Sequence, residues 1–138
     1  FYEYIVFDGT YEVKVHPLDK YEPSKVFNMI NIDGHVVKED DRYLVRDNTS
    51  LKNLVVSSTK LNPNKETSGH FHKGQEEVYM FLEGSGRMWL DEEEFAIHAN
   101  ETVLIKDGVF HKVSAGDDGL YFVCVFDGLR GSKWVKMN

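Results

Sequence analysis

From Leu54 to Phe126 the chain repeats one theme: a short run of β-branched and aromatic residues, then a turn signal. Such runs bury alternate side chains, a period that a helix cannot present. Leu54-Val55-Val56-Ser57-Ser58-Thr59-Lys60-Leu61 is β-branched and stops at the turn tripeptide Asn62-Pro63-Asn64. The next run ends at Glu83-Gly84, and Gly84-Ser85-Gly86 is expected to turn the chain into Arg87-Met88-Trp89-Leu90. Residues 91–94 read as a solvated acidic loop. Strands follow at 95–98, 102–105, 109–114 and 120–126, with turns at 99–101, 106–108 and 115–119. The last run is nearly all apolar and is expected to be buried on both faces. No convincing amphipathic helix interrupts the series, so the fold class is all-β, a sandwich or barrel.

The N-terminal third is less regular. Tyr4-Ile5-Val6-Phe7, Asp8-Gly9 and Thr10-Tyr11-Glu12-Val13-Lys14-Val15 read as a hairpin, Asp-Gly being a strong two-residue turn signal. Two prolines restrict a loop over residues 16–23. Residues 26–32 are compatible with a strand or a helical turn. Short strands are expected at 35–37 and 43–45, with a loop at 47–50.

At 138 residues the chain fits one domain with a sizeable core. Its net charge of −7 and lack of a basic stripe argue against nucleic acid as a partner. Its apolar runs are far shorter than a membrane span of ~20 residues. Cys124 is the single cysteine and reads as a small core residue. No charged-then-apolar signal segment is evident, and Asn48-Thr49-Ser50 reads as turn residues rather than a glycosylation site. The expected location is a reducing cytoplasm.

The stretch richest in chemistry is Gly69-His70-Phe71-His72-Lys73-Gly74-Gln75-Glu76-Glu77. On extended backbone His70 and His72 share a face. With a carboxylate following them, they form a donor set for a divalent transition metal. A further ligand is expected from elsewhere, and His111 is the obvious candidate. His16, His35 and His98 read as exposed loop or strand-end residues.

These residues resemble the cupin family. Its first motif is Gly, a spacer, His-x-His, three or four residues, Glu, six residues and Gly. His70, His72, Glu77 and Gly84 match it, with six residues between the last two. That spacing favours Glu77 over Glu76, and alternation agrees, since Glu77, Tyr79 and Phe81 share a face. The second motif is Gly, five residues, Pro-x-Gly-x-x-His, three residues and Asn. Gly108-Val109-Phe110-His111 matches its core, whereas Lys106 replaces the Pro, Asn100 the opening Gly and Ala115 the Asn. The resemblance covers about residues 54–126. It implies a double-stranded β-helix, a jelly-roll barrel with an N-terminal hairpin, in a single domain over residues 1–138 with its core barrel at about 53–127. It also implies one divalent metal ion (Mn, Fe, Zn or Ni) on His70, His72, Glu77 and His111, and a homodimer with exchanged N-terminal strands.

A narrower stretch, Thr67-Ser68-Gly69-His70-Phe71-His72 and then Glu77-Val78-Tyr79, is similar to the cupin-type glucose-6-phosphate isomerases of archaea. That similarity implies a sugar-like ligand bound by Thr67, Gly69 and Tyr79. Glu77 and Tyr79 are then the candidate catalytic residues, and Lys65 or Lys106 the candidate second cation for a phosphate. Phe81 is expected to plug the floor of the pocket. Three functions fit the pattern: a metal-dependent isomerase of a sugar or sugar phosphate, an iron-dependent dioxygenase, and a sugar- or small-ligand-binding cupin that is no enzyme.

Overall fold

The computed structural model describes residues 2–7, 10–15, 25–128 and 130, with side chains from Lys25 onward. The expected Asp8-Gly9 turn, the loop at 16–23 with His16, and the tail containing Trp134 lie outside the described residues. Nine strands and no helix occur among the described residues: β1 (Tyr2–Phe7), β2 (Thr10–Val15), β3 (His35–Glu39), β4 (Tyr43–Asn48), β5 (Leu54–Leu61), β6 (Glu77–Leu90), β7 (Glu93–His98), β8 (Thr102–Ile105) and β9 (His111–Asp127). The all-β expectation holds.

Strands β1 and β2 pair with each other, with Tyr2 opposite Val15 and Phe7 opposite Thr10. The other seven form one sheet in the order β3-β4-β5-β9-β6-β7, with β8 also pairing β6. All pairings are antiparallel. Residues 77–80 of β6 are held from both sides, Glu77 lying opposite Phe126 of β9 and Ile105 of β8.

Alternation sends Tyr79, Phe81 and Met88 of β6 inward, to meet Phe122, Leu120 and Val113 of β9 in one core. Phe122 stacks on Tyr79 at 4.8 Å between ring centroids and lies 5.2 Å from Phe81. Burying such a side chain contributes about 1.5–3 kcal/mol. This aromatic layer sits directly behind Glu77 on the same face of β6.

Several boundaries differ from the sequence expectation. Residues 84–86 do not turn the chain: β6 runs through them, absorbing register shifts between Phe81 and Glu83 and between Gly84 and Gly86. Likewise β9 runs through residues 115–119. Asp47 and Asn48 belong to β4 rather than a loop, and both are buried. Residues 26–32 are neither strand nor helical turn but bends and turns, with an isolated bridge between Asn28 and Asn31. The expected turns at Asn64 and Asn100 are present, and the expected loop at 91–94 shortens to 91–92 because β7 begins at Glu93; Asn64, Asp91, Asn100 and also Asp33 have a positive φ between 52° and 72°.

Candidate metal centre

His70 and His72 lie on the segment joining β5 to β6, which is laced to the start of β9. His70 N–H donates to His111 O at 3.1 Å, and His111 N–H returns to His70 O at 2.9 Å. Gly108 N–H donates to His72 O at 3.0 Å. Asp107 Oδ1 accepts from Gly74 N–H at 2.6 Å, holding the loop that leads into Glu77. Residues matching the two sequence motifs are thus locked together by backbone bonds.

The geometry brings all four expected ligands into one cluster. One donor atom from each of His70, His72, Glu77 and His111 lies within 4.8 Å of the others. Donors at ~2.0–2.2 Å from one ion stand up to ~4.4 Å apart, so a small side-chain adjustment closes the set on a metal. Glu76 is exposed on the opposite face of the chain, as alternation requires.

His111 supplies the sharpest test of fit. Its Nδ1–H donates to the Val109 carbonyl at 3.0 Å. A carbonyl only accepts, so Nδ1 carries a proton, and in the neutral ring with that tautomer Nε2 carries a lone pair. That lone pair faces Glu77 Oε1 at 3.4 Å. Both atoms are buried and neither has a hydrogen-bond partner. Leaving buried polar atoms unsatisfied costs about 1–3 kcal/mol each. A cation between them removes that cost, and three imidazoles with one carboxylate suit Zn, Mn, Fe or Ni. The cluster therefore can hold a divalent metal ion.

The electrostatics keep the imidazoles in their ligating form. Burial, then the field of His111, pushes the His72 pKa down to about 4. Burial, with His111 and His72 next in size, pushes His70 down to about 3. Both are neutral at pH 7. Burial and the Glu77 charge raise Tyr79 well above its ordinary value, so it stays a neutral phenol.

A cavity of about 30 Å³ opens onto the cluster, lined by His70, His72, Gln75, Glu77, Tyr79 and Arg130, with Thr59, Cys124 and Phe126 completing its wall. Tyr79 faces it, and Phe81 lies deeper in the core. Neither Thr67 nor Gly69 lines it. The Thr67 hydroxyl accepts from Val113 N–H at 3.0 Å, fastening the segment to β9. Gly69 has φ +79°, and a Cβ there would meet the Phe110 ring at 2.5 Å, so glycine serves packing. Lys65 pairs with Asp41 at 3.6 Å, and Lys106 is exposed, both outside the cavity lining. His35 and His98 are exposed, as expected. A second depression of about 90 Å³, bordered by Pro63, Glu83 and Asp118, shares no residue with the cluster.

Sequence reasoning missed Arg130 and its support. The Arg130 guanidinium grips buried Asp47 with two bonds, Nε to Oδ2 at 2.8 Å and Nη2 to Oδ1 at 2.9 Å. Its Nη2 also donates to Ser57 Oγ at 2.7 Å. Asp47 had a signal: Tyr43, Val45 and Asp47 alternate, so the strand phase points it inward. Arg130 follows the last strand and no pattern marks it.

Comparison with known proteins agrees with this architecture. A protein of Klebsiella pneumoniae with a double-stranded β-helix domain superposes with a TM-score of 0.68 at 16% identity, covering 81% of this chain and 96% of that one. KdgF from a Halomonas species gives 0.64 at 13% identity, over 74% and 94%. Oxalate decarboxylase of Bacillus subtilis gives 0.67 at 21% identity over 88% of this chain, which spans only 34% of that enzyme. At these identities the likeness is one of fold, a double-stranded β-helix. The uncharacterized protein MJ1618 of Methanocaldococcus jannaschii is 30% identical over 112 residues, 76% of this chain and 82% of the relative. The cupin domain description matches residues 57–126, half of the chain and the half holding all four clustered ligands, and the chain therefore belongs to the cupin family.

Proposed function

We propose that His70, His72, Glu77 and His111 hold one divalent transition metal, and that the protein is a metal-dependent isomerase of a sugar or sugar phosphate. The observation that carries this reading is the facing pair of unsatisfied atoms, His111 Nε2 and Glu77 Oε1, inside a three-histidine cluster that opens to a cavity. Four protein ligands leave coordination positions open, where a bound metal would polarise the carbonyl and the adjacent hydroxyl of an aldose or ketose.

The chain's own residues supply the rest. Aldose–ketose exchange moves one proton from C2 to C1 and another from O2 to O1, passing through an enediol. Glu77 is the one carboxylate among the described residues lining the cavity, and with one oxygen holding the metal its other oxygen is the candidate to take the C2 proton and return it. Tyr79 stays protonated and offers its O–H to a substrate oxygen. The Gln75 amide Nε2 donates to the Asp127 carbonyl, which fixes that part of the wall. Thr67 and Gly69 hold the His70 segment against β9 and act on substrate only through that segment.

Elemental analysis of freshly purified protein, followed by turnover assays on hexoses, pentoses and their phosphates with Mn, Fe, Zn and Ni, tests the reading. One metal per chain and aldose–ketose turnover are expected. Tyr79→Phe should keep its metal and lose about 0.5–1.5 kcal/mol of transition-state stabilisation, a few-fold to roughly tenfold in rate. Dioxygen uptake by iron-loaded protein would assign an oxygenase instead. Metal-bound protein with no turnover on any of these sugars would leave a binding role.

A further inference from the structure

Arg130 lines the same cavity as His70, His72 and Glu77. Its position is set from behind. Asp47 and Ser57 are buried at 2% and 0% exposure, and together they occupy Nε and Nη2 of the guanidinium. Among the described residues nothing bonds to Nη1, which keeps two N–H donors unspent. The guanidinium plane also lies over Phe126, 5.1 Å from the ring centroid, so that it is held against one wall.

A fixed cation beside a metal centre is electrostatically unfavourable unless an anion joins them. Asp47 only balances Arg130. A divalent ion would outweigh the single Glu77 charge, so the loaded cavity would be net positive inside a chain whose overall charge is −7. A planar guanidinium with donors not taken up by the described residues, sharing a cavity with a cluster that can hold a metal, suits oxygen anions.

We infer that Arg130 is the docking group for an oxyanion, a carboxylate or phosphoryl group, carried by a small substrate that reaches the metal centre. This rests on the proposed metal centre and narrows its substrate to an anion. The oxyanion takes the Nη1 edge, while Asp47 and Ser57 keep the guanidinium from turning away. Lys65 and Lys106, lying outside the cavity lining, are not needed for this role.

The test is calorimetric titration of glycolate and, separately, inorganic phosphate into wild-type and Arg130→Gln protein, each metal-loaded and metal-free, with neutral glycolamide as a control. Wild-type protein should bind at least one oxyanion, and the preferred probe names carboxylate or phosphoryl. Arg130→Gln should weaken that binding by about tenfold or more at unchanged metal content, with glycolamide indifferent to the change. Ser57→Ala leaves the Asp47 pair in place and should weaken the same probe several-fold, which keeps the test alive if Arg130→Gln fails to fold. Equal oxyanion affinity in wild type and both variants, or no oxyanion binding to wild type, overturns the inference. Anion binding is read without turnover, so the two readings fail separately. Metal-free protein that binds an oxyanion through Arg130 sustains this inference even if no isomerase activity exists. Isomerase activity on neutral sugars that ignores Arg130→Gln sustains the isomerase and overturns the anion subsite.

Discussion

At the scale of single residues, His70 and His72 tie metal binding to acid stability. Their pKa values, about 3 and about 4, lie below the ordinary 6.5 of an unfolded chain. Between those limits the unfolded chain binds protons that the folded chain refuses. The stability from these groups is therefore complete above pH 6.5 and is lost as pH falls through about 4 and then about 3. Each group bends the curve by at most ~1.4 kcal/mol per pH unit inside its window. Metal-free wild type should lose urea stability steadily from pH 6.5 downward. His72→Gln cannot take up that proton, so its stability should fall less steeply over the same range. Parallel profiles for the two proteins would show that burial of His72 does not disfavour its charged form. A bound metal should deepen the effect, because protons compete for the same nitrogens.

At the scale of elements, β6 and β9 run side by side for most of their length, and glycines allow the closest approach. A Cβ on Gly84 would stand 2.1 Å from Gly119 O, and one on Gly86 2.0 Å from Ser114 O. Both obstacles are backbone and cannot swing aside. Gly86→Ala should therefore destabilise the barrel by about 1–3 kcal/mol or more. Gly74→Ala meets nothing within 4 Å and carries only the strain of φ +81°, about 1–2 kcal/mol. Thermal unfolding of the two variants should rank them in that order, and the reverse order would mean that β6 and β9 part at Gly86. The same glycines explain where the sequence misled. Gly84-Ser85-Gly86 and the Gly-Asp-Asp-Gly run at 116–119 carry turn chemistry, yet they serve strand contact and bulges rather than reversal. Strand β5 was legible end to end, because its β-branched run stops at a turn tripeptide that the chain uses as one. The metal cluster was legible because His70 and His72 stand one residue apart, and Glu77 and His111 fall where the motifs of the family it resembles place a ligand. Arg130 was not, because its partner Asp47 is 83 residues away and no local pattern records such a pair.

At the scale of the whole molecule, the seven-stranded sheet ends at β3 on one side and β7 on the other, while among the described residues β1 and β2 pair only with each other. A two-stranded hairpin alone is marginal in water, and open strand edges invite pairing with another chain. Strand β3 is short and exposed at Val36, and the apolar side chains of Met29, Ile30, Leu51 and Leu54 are also exposed, all within residues 29–54. An edge strand and a hairpin with no further strand partner among the described residues are complementary needs. Two copies satisfy both if each hairpin extends the other copy's sheet beside β3, and we expect a homodimer built in this way. Sedimentation equilibrium at micromolar concentration should return about twice the chain mass of 15.9 kDa. Deleting residues 1–15 should yield monomers that still bind metal, since His70, His72, Glu77 and His111 all lie on the larger sheet and its connections. A wild-type monomer would remove the idea. A dimer that survives the deletion would move the interface to the exposed apolar residues around β3. Loss of metal on deletion would place the hairpin in support of the centre rather than at an interface.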